Sequence, residues 1–497
     1  MRLKGLIKSA GLSLPEAILD FEVKGITSDS KKVLPGFIFV AIKGTNFDGS
    51  SFIPEAIREG ARAVIFQDAA YQLPQTRGVS YIRADNTRKA LADLSAAFWG
   101  HPSSLMKLVG ITGTNGKTTV SYLIEAILKC TQYTPAVIGT INYRFKDKIF
   151  NADNTTPEAT RLQALLAQMQ KEEVDYVIIE VSSHALDQDR VGAVEFSAGI
   201  FTNLSVDHLD YHHDLNSYFV AKSKLFRQLP KEGFAILNID DSHTEELIKL
   251  TKASVVTYGL DNHADIAAKD ISFALSGTEF FLQLRPTINL KLCRRLDRIS
   301  FKTSLIGRHN VYNILAAVAF GLTQKIDLEI MRLAIEKFIG VPGRLERMPL
   351  DADFSVFIDY AHTEDALRNV IMSLRPLCKG RLYVVFGCGG DRDKTKRPKM
   401  GKVVSELADL AIITTDNPRS EEPEQIIKEI VSGIDNKNFR IIVDRRDAIK
   451  EAISKARKDD IILIAGKGHE NYQIFKDKRI HLDDREVVWE CLNTNPH

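Results

Sequence analysis

A glycine-rich segment early in the chain has the residue types that bind phosphate groups. The run KLVGITGTNGKTTV, residues 107–120, reads as a buried strand, a loop with two glycines and then a helix. Glycines let backbone N–H groups converge on phosphate oxygens, and the helix dipole favours negative charge there. Lys117 would reach the β- and γ-phosphates, and the Thr118 hydroxyl would meet Mg²⁺. Ile111 replaces the first glycine of the strict pattern, but the strand–loop–helix context still predicts a mononucleotide site rather than a structural turn.

A second buried strand, VDYVIIEVSSH at residues 174–184, ends in the acidic residue Glu180. A carboxylate beside a phosphate loop often ligates Mg²⁺, so we interpret Glu180 as a metal ligand rather than an ordinary strand-end acid. The later run NLSVDHLDYHHD contains His208, His212 and His213. That run has no nearby thiolate and no HExxH pattern, and histidine is an unusual partner for Mg²⁺. On the residues alone, a metal role and plain loop histidines stay equally open.

Two basic residues have no special status on composition alone. Lys222, in SYFVAKSKLFRQL, reads as a lysine on a helix surface. Arg344 follows a Gly/Pro turn in GVPGRLERM, which reads as a hinge that carries a charge. Neither pattern predicts a role in chemistry.

Four buried strands in the last third of the chain end in polar loops. They are FSVFIDYAHT, LYVVFGCGGDRD, AIITTDNPR and IILIAGKGHE. Ligands of open parallel sheets bind at the carboxyl ends of the strands, so four such ends predict a binding site. In the third loop, Pro418 restricts the backbone beside Arg419, which is either a solvated loop charge or a pre-aimed carboxylate ligand.

An α/β fold of three domains has to position these residues. Residues 1–102 form a small α/β unit, and a Pro/Ser hinge ends it. Residues 103–345 alternate strands and helices as a mostly parallel sheet does, with a hairpin around Ser276-Gly277 that predicts a smaller antiparallel part. Residues 346–497 resume the alternation of strands and helices. A chain of 497 residues is long enough for about three such units.

Charge and cysteine content exclude several classes of protein. Lys+Arg 66 against Asp+Glu 64 leaves a net charge of +2, which disfavours nucleic acid or anionic membrane as the main partner. The five cysteines lack CxxC spacing and fit reduced thiols. The N-terminal run lacks the apolar core of a signal peptide, and no apolar run reaches membrane-spanning length. We therefore expect a cytoplasmic protein without membrane insertion.

The chain resembles the Mur ligase family along essentially its whole length. Nine motifs stand in the family's order: GITGTNGKTT, EVSSHALDQDR, FTNLSVDHLDYH, GRHNVYNILAA, GVPGRLE, DYAHTEDAL, FGCGGDRD, DNPR and AGKGHE. The resemblance implies an N-terminal UDP-binding domain, a central ATPase domain and a C-terminal Rossmann-like domain for the amino acid. It also implies ATP-dependent addition of meso-2,6-diaminopimelate to UDP-N-acetylmuramoyl-L-alanyl-D-glutamate in peptidoglycan precursor synthesis, through an acyl phosphate. Only small-molecule substrates and a monomer are expected.

The resemblance further implies which residues bind each substrate. ATP would contact the phosphate loop and four later residues, namely Gly113, Thr114, Asn115, Gly116, Lys117, Thr118, Thr119, Asn310, Asn313, Arg344 and Asp359. The UDP-linked substrate would contact Ser28, Ser30, Thr45, Asn46, Phe47, Asn154, Thr155, Thr156, Ser182, Gln188 and Arg190. Diaminopimelate would contact Arg392, Asp416, Asn417, Pro418, Arg419, Gly466 and Glu470.

The same resemblance implies a catalytic set of Lys117, Glu180, His208 and Lys222. Mg²⁺ would be held by Thr118, Glu180, His208 and Lys222, the last as a carbamate formed with CO₂. Family members that add L-lysine lack the arginine that ends the DNPR tetrapeptide, so Arg419 favours diaminopimelate.

Other functions stay open at this point. The lysine-adding ligase and a folylpolyglutamate synthase-like ligase are the nearest alternatives, and DNPR and GKGHE argue against both. A phosphate-loop switch or motor is an alternative of a different class, but no guanine-binding NKxD motif is evident. A nucleic-acid-dependent ATPase is disfavoured by the near-neutral charge.

Overall fold

The computed structural model describes most of the chain, in seven segments. These are residues 1–15, 18–44, 48–68, 71–74, 76–285, 299–476 and 478–493. The expected uridine contacts Thr45, Asn46 and Phe47 lie outside the described residues, as does Cys293. The other four cysteines form no disulfide bond with one another. No helix in these segments is both long and apolar enough to cross a lipid bilayer.

The first sheet has four parallel strands in the order β1-β2-β3-β4. The strands are β1 (Gly25–Thr27), β2 (Phe37–Val40), β3 (Ala61–Phe66) and β4 (Ser80–Arg83), and the helices are α1 (Leu3–Ser9), α2 (Ile53–Arg58) and α3 (Thr87–Phe98). The Asn86 side chain accepts hydrogen bonds from two backbone N–H groups at the start of α3, which explains where that helix begins. A 3₁₀ turn at Pro102–Leu105 leads into the next strand.

The second sheet has eleven strands in the order β15-β14-β13-β12-β11-β10-β5-β9-β6-β7-β8. Its strands are β5 (Lys107–Thr112), β6 (Pro135–Ile138), β7 (Asn142–Phe145), β8 (Lys148–Asn151), β9 (Tyr176–Glu180), β10 (Ala198–Phe201), β11 (Phe234–Asn238), β12 (Ser254–Gly259), β13 (Ile266–Ala274), β14 (Gly277–Leu284) and β15 (Ile299–Thr303). Its helices are α4 (Lys117–Lys129), α5 (Ala159–Lys171), α6 (Ser183–Asp187), α7 (Leu209–His212), α8 (Leu215–Arg227), α9 (Thr244–Leu250), α10 (Arg308–Thr323) and α11 (Leu328–Glu336).

Most of this sheet is parallel, and both of its ends are antiparallel. The hairpin predicted around Ser276-Gly277 is confirmed, since β13 and β14 pair antiparallel across it. A second antiparallel end, β6-β7-β8, was not predicted from the sequence. The turn between β7 and β8 lacks glycine and uses Lys146 at φ 49° instead, so the usual turn signal is missing.

The third sheet has six strands in the order β16-β17-β21-β18-β19-β20, of which β16 alone is antiparallel to its neighbour. The strands are β16 (Glu346–Arg347), β17 (Ser355–Asp359), β18 (Leu382–Phe386), β19 (Leu410–Ile413), β20 (Phe439–Ile441) and β21 (Ile461–Ala465). The helices are α12 (Glu364–Leu374), α13 (Lys396–Leu407), α14 (Pro423–Val431), α15 (Arg445–Lys455) and α16 (Asp484–Asn493), and β22 (Tyr472–Phe475) and β23 (Lys478–His481) form a separate hairpin.

Sheet order brings the four polar strand ends together. Because β17, β21, β18 and β19 are neighbours and parallel, their following loops emerge at one edge. Alternate residues of the central strands face separate cores, as Val109 and Leu108 of β5 do. Each fully buried aliphatic side chain stabilises the fold by about 1.5–3 kcal/mol, so both faces hold the site edge rigidly.

Candidate active site

The phosphate loop is an open cradle of backbone amides between β5 and α4. Gly113 and Gly116 have φ angles of 149° and 90°, and L side chains rarely adopt these conformations. Asn203, which follows β10, braces the loop from the side. Its carbonyl accepts from the N–H of Thr114 at 2.8 Å, and its side-chain oxygen accepts from the N–H of Asn115 at 2.9 Å. The loop therefore holds its shape through contacts 88 residues away in sequence.

Gly116 also allows the phosphate loop to lie close to Asn313 of α10. A Cβ placed on it would collide with Oδ1 of Asn313, so we expect Gly116→Ala to weaken ATP binding about tenfold or more. Gly78→Ala is the matched control, because Gly78 also has φ 90° but no atom within 4 Å of the added Cβ. Binding of a fluorescent ATP analogue measures both variants. Equal weakening in both would show that backbone strain, not the contact with Asn313, is responsible.

Lys117 folds back on its own loop. Its Nζ donates to the carbonyls of Gly113 and Thr114, both at 2.8 Å, and burial lowers the pKa of its ammonium. Both acceptors are loop carbonyls, so an anion that offers better acceptors can draw the ammonium outward. This is the geometry expected of a lysine that follows phosphate charge.

Glu180, the last residue of β9, is fully buried, and its carboxylate contacts the first turn of α4. Its Oε2 accepts from the hydroxyls of Thr118 and Thr140, each at 2.8 Å, and Oε1 accepts from the N–H of Thr140 at 3.2 Å. Ser121 donates to Oε1 at 3.3 Å. Four hydrogen bonds thus fix the carboxylate beside the Thr118 hydroxyl, where its oxygens can bind a cation.

Lys222 lies against the phosphate loop, which its sequence context did not reveal. Only 1% of the residue is exposed, and its Nζ donates to the carbonyl of Gly113 at 2.9 Å. The same nitrogen lies 4.3 Å from the ring centre of Tyr218, whose hydroxyl is 3.3 Å from Oγ1 of Thr114. Burial, followed by the nearby charge of Lys117, holds the pKa of Lys222 well below its usual range. Burial therefore stabilises the neutral amine relative to the ammonium.

His208 is the residue just before α7, and its backbone is in the left-handed conformation with φ 55°. Its Nε2 lies 3.5 Å from Oδ2 of Asp207, and its ring centre lies 4.9 Å from that of His184. His212, one turn on, is buried against the Ser183 hydroxyl at 2.9 Å. No cluster of three or more His, Cys, Asp or Glu residues suited to a metal occurs in the described segments. A cation here would rely on Glu180, hydroxyls and substrate oxygens.

A cavity of about 440 Å³ opens between the second and third sheets beside the phosphate loop. Seven of the predicted ATP contacts line it: Asn115, Gly116, Thr119, Asn310, Asn313, Arg344 and Asp359. Gly113, Thr114, Lys117 and Thr118 form the base of the loop and do not line this cavity. The structure therefore brings predicted residues from the domains of both sheets, up to 244 positions apart in sequence, around one cavity.

Arg344 and Asp359 line the cavity, and Arg344 contacts Thr118 of the phosphate loop. Arg344 donates from Nη2 to Oγ1 of Thr118 at 3.3 Å and lies over the Tyr360 ring at 4.6 Å, while its buried Nε has no partner among the described residues. Asp359 accepts from the N–H of Leu345 at 2.5 Å, and burial raises its pKa to about 6. A guanidinium with a spare donor is suited to an added anion.

Sequence reasoning missed several residues of this cavity. They include Asn203, Ser205, Asp240, Tyr312, Tyr360 and Asp365. Asp365, in the first turn of α12, accepts from Nδ2 of Asn115 at 3.1 Å and from Oγ of Ser205 at 3.2 Å. It thereby joins the third sheet's helices to the phosphate loop. A polar residue in a helix's first turn is too common a pattern to have identified it.

A second group of predicted residues contacts the backbone of Glu180. Thr156 donates to the carbonyl of Glu180 at 2.7 Å and accepts from the N–H of Ser182 at 3.0 Å. Arg190 donates to the carbonyl of Thr156 at 3.0 Å and to Oε1 of Gln188 at 2.7 Å. These four predicted residues form one hydrogen-bonded network between α5 and α6.

Four predicted residues lie around or beyond that network. Thr155 contacts Thr140 through its hydroxyl at 3.1 Å, and the exposed Asn154 accepts at its carbonyl from Tyr143 at 2.5 Å. Ser28 is exposed and Ser30 is buried, at a 3₁₀ turn after β1. Ser28 and Ser30 therefore lie in the domain of the first sheet.

The DNPR loop is built around Asn417. Its Nδ2 donates to Oε2 of Glu470 at 2.8 Å, and its Oδ1 accepts from the N–H of Ile474 at 3.0 Å. Asp416 accepts from the N–H of Asn417 at 2.6 Å, and Gly466, at φ 112°, leaves room for the Asp416 carboxylate. Burial, then the charge of Asp416, raises the pKa of Glu470. The charge of Asp416 disfavours ionisation of Glu470, and a bound cationic group would relieve that repulsion.

The hairpin β22–β23 fixes the backbone of Arg419. Its N–H donates to the carbonyl of Ile474 at 2.9 Å and its carbonyl accepts from the N–H of Lys476 at 2.6 Å, with φ at 52°. Its Nη1 donates to the carbonyl of Gly390 at 2.8 Å. Pro418 is buried and Arg392 is exposed. Proline alone was expected to aim the arginine, and the hairpin adds a second constraint that the loop sequence does not contain.

Three family models match consecutive parts of the chain. They are the Mur ligase family catalytic domain at residues 22–99, the Mur ligase middle domain at 111–321 and the Mur ligase glutamate ligase domain at 343–468. A curated protein of Clostridium acetobutylicum, UDP-N-acetylmuramoyl-L-alanyl-D-glutamate--2,6-diaminopimelate ligase 1, is 43% identical over 494 residues and 99% of each chain. The chain belongs to the Mur ligase family.

Other relatives of this Mur ligase agree in name and extent. The 2,6-diaminopimelate ligase of Trichormus variabilis is 44% identical over 97% of this chain and 96% of its own. A solved structure of a UDP-N-acetylmuramoyl-L-alanyl-D-glutamate--2,6-diaminopimelate ligase superposes with a TM-score of 0.70, at 31% identity, over 99% of each chain. Folylpolyglutamate synthase of Mycobacterium tuberculosis, at 20% identity and a TM-score of 0.64, covers 76% of this chain and 91% of its own, and shares the fold alone.

Proposed function

We propose that this Mur ligase joins meso-2,6-diaminopimelate to UDP-N-acetylmuramoyl-L-alanyl-D-glutamate and hydrolyses ATP to ADP and phosphate. The observation that carries the proposal is that Arg419 and Glu470 both contact Asn417 at the strand edge. Glu470 accepts from Nδ2 of Asn417 at 2.8 Å, and Nη1 of Arg419 lies 3.5 Å from the Asn417 carbonyl. One end of diaminopimelate is an amino acid head that needs a cationic and an anionic partner together. Relatives at 39–44% identity carry the name of this reaction.

Amide formation from a carboxylate requires activation, because a carboxylate is a poor electrophile. The γ-phosphoryl group of ATP is transferred to the γ-carboxylate of D-glutamate, which breaks the bond to ADP and forms an acyl phosphate. The amine of diaminopimelate then attacks the acyl carbon. The tetrahedral intermediate collapses to the amide and inorganic phosphate, and the amine loses a proton.

The chain's own cations reduce the repulsion between the two anions. Lys117 can leave its two loop carbonyls for the phosphates. Arg344, whose Nη2 contacts Thr118, offers an Nε that has no hydrogen-bond partner among the described residues. The hydrogen bonds from Asn115 and Ser205 to Asp365 bring α12 over the phosphate loop. Such closure excludes water, which would hydrolyse the acyl phosphate.

The residues around Glu180 fit Mg²⁺. A fully buried carboxylate 2.8 Å from the Thr118 hydroxyl matches the oxygen ligands and few protein contacts that this ion takes. Thr118 and Glu180 would hold it, with His208 at the edge of the site. Bound there, Mg²⁺ would supply charge neutralisation for phosphoryl transfer.

Lys222 is proposed to carry a carbamate formed from CO₂. The neutral amine, which burial stabilises relative to the ammonium, is the form that adds CO₂, and the position of Lys222 against the phosphate loop suits an anion that holds a second cation. An unmodified lysine cannot serve as such a ligand.

The UDP-linked substrate is proposed to span the first two domains. Its dipeptide contacts Thr156, Ser182, Gln188 and Arg190, with Asn154 and Thr155 beside them, which places its carboxylate next to Glu180 and the phosphate loop. Ser28 and Ser30 take the uridine end. The domain limits proposed are 1–102, 103–345 and 346–497.

The decisive measurement is phosphate release with each substrate omitted in turn. We expect release to require ATP, the UDP-muramoyl dipeptide and meso-diaminopimelate, with L-lysine at least about 100-fold poorer in kcat/KM because Arg419 would lose its anion. Phosphate release that needs neither the dipeptide nor an amino acid would instead identify a phosphate-loop ATPase switch. Equal rates with L-lysine would contradict the assigned specificity.

A further inference from the structure

A buried arginine lies directly behind the diaminopimelate loops. Arg397, near the start of α13, has a side chain that is 0% exposed. Its Nη1 donates to Oε2 of Glu421 and its Nη2 to Oε1 of the same carboxylate, both at 2.9 Å. Nη1 also donates to Oε2 of Glu429 at 2.7 Å. A fully buried guanidinium is costly to desolvate even when two partly exposed carboxylates pair with it, so stability alone does not explain this arginine.

The network reaches both loops that carry the proposed pocket. Arg397 donates from Nη2 to the carbonyl of Gly389 at 3.2 Å, and Glu421 accepts from the N–H of Asp391 at 2.7 Å. Asp391 in turn accepts from the N–H of Ser420 at 3.2 Å. These contacts join the loop after β18, residues 387–393, to the DNPR loop after β19, residues 416–421.

Arg419 depends on that junction. It donates from Nη1 to the carbonyl of Gly390, next to the carbonyl held by Arg397. An added Cβ on Gly389 would lie 2.8 Å from Nη1 of Arg419, so the guanidinium would have to move. A shift of the first loop would therefore move the guanidinium.

Close helix packing keeps Arg397 in place. A Cβ on Gly401 of α13 would collide with the Ile430 carbonyl of α14, and one on Gly433 would collide with the Pro398 carbonyl. The hydrogen bond from Arg397 is the main cause that lowers the pKa of Glu421 to about 2. Exposed Lys394 adds an outer ion pair to Glu421 at 3.2 Å.

We propose that Arg397 and Glu421 are positioning residues that set the distance between the two pocket loops and so determine the enzyme's selectivity for its amino acid. The inference rests on the proposed function. Glu429 is the internal comparison, since it holds Arg397 from α14 and has no contact with either loop among the hydrogen bonds of the described residues.

Glu421→Gln tests this role with little change in shape. The glutamine N–H₂ would face donors where the carboxylate now accepts, so the Arg397 fork opens. We expect KM for diaminopimelate to rise about tenfold or more, with KM for ATP within about twofold of wild type. Glu429→Gln should lower Tm comparably and leave both KM values near wild type.

Each outcome of the comparison decides the question. Unchanged KM for diaminopimelate in Glu421→Gln, or equal rises in both variants, would reduce the network to a structural role and overturn the inference. If Glu421→Gln does not fold, Glu421→Asp, which keeps the charge but shortens the reach, replaces it under the same criterion. Wild-type enzyme is assayed first with diaminopimelate and with L-lysine. If L-lysine proves to be the substrate, the proposed function fails. The KM for L-lysine in Glu421→Gln and Glu429→Gln then tests the positioning role separately.

Discussion

Arg419→Ala is expected to raise KM for diaminopimelate about 30- to 100-fold, with KM for ATP changed less than about threefold. Removing one partner of a desolvated charge pair costs about 2–5 kcal/mol, and a partly exposed group belongs at the low end of that range. Nη1 is the one side-chain nitrogen of Arg419 with a hydrogen-bond partner among the described residues, so other donors remain for a carboxylate. Steady-state kinetics with each substrate varied in turn measure the effect.

Two companion variants make this result specific. Arg419→Lys keeps the charge but not the planar fork, so its KM should lie between those of wild type and Arg419→Ala. Arg440→Ala removes an exposed arginine of the same domain that pairs with Glu451, and should behave as wild type. If Arg419→Ala raised KM for ATP as much as KM for diaminopimelate, the arginine would be structural.

Lys222→Ala is expected to lower kcat by about 10³-fold or more while both KM values stay within about threefold. Losing a group that acts on charge developing in the transition state reduces kcat rather than binding. Lys224→Ala is the matched control, because Lys224 lies on the same helix but is 38% exposed and pairs with Asp187. Near-normal kcat in Lys222→Ala would remove Lys222 from the mechanism.

Dependence on CO₂ separates a carbamate from a plain lysine. Wild-type activity should fall in CO₂-depleted buffer and recover with bicarbonate, and ¹³C-labelled bicarbonate should give a carbamate resonance that Lys222→Ala lacks. Activity indifferent to CO₂, with no such resonance, would mean that the buried amine acts unmodified against the carbonyl of Gly113.

Local chemistry could be read directly from the sequence. The phosphate loop, its helix and the acid at the end of β9 are encoded by neighbouring residues, because glycine spacing and hydrophobic runs act over a few positions. The three-domain α/β class and the hairpin at Ser276-Gly277 follow from the same short-range patterns. The antiparallel strands β7 and β8 did not, since their turn lacks the residues that usually mark one.

The tertiary structure decided which distant residues share a site. Lys222 reads as a surface lysine, yet folding places its amine against Gly113, 109 positions earlier. Asp365 reaches Asn115 across 250 positions, and the hairpin after Glu470 holds the backbone of Arg419. Strand order in the sheets determines these contacts, and that order depends on burial summed over whole domains. A short pattern therefore identifies a loop that binds an anion, whereas only packing determines which lysine, acid or arginine lies beside it.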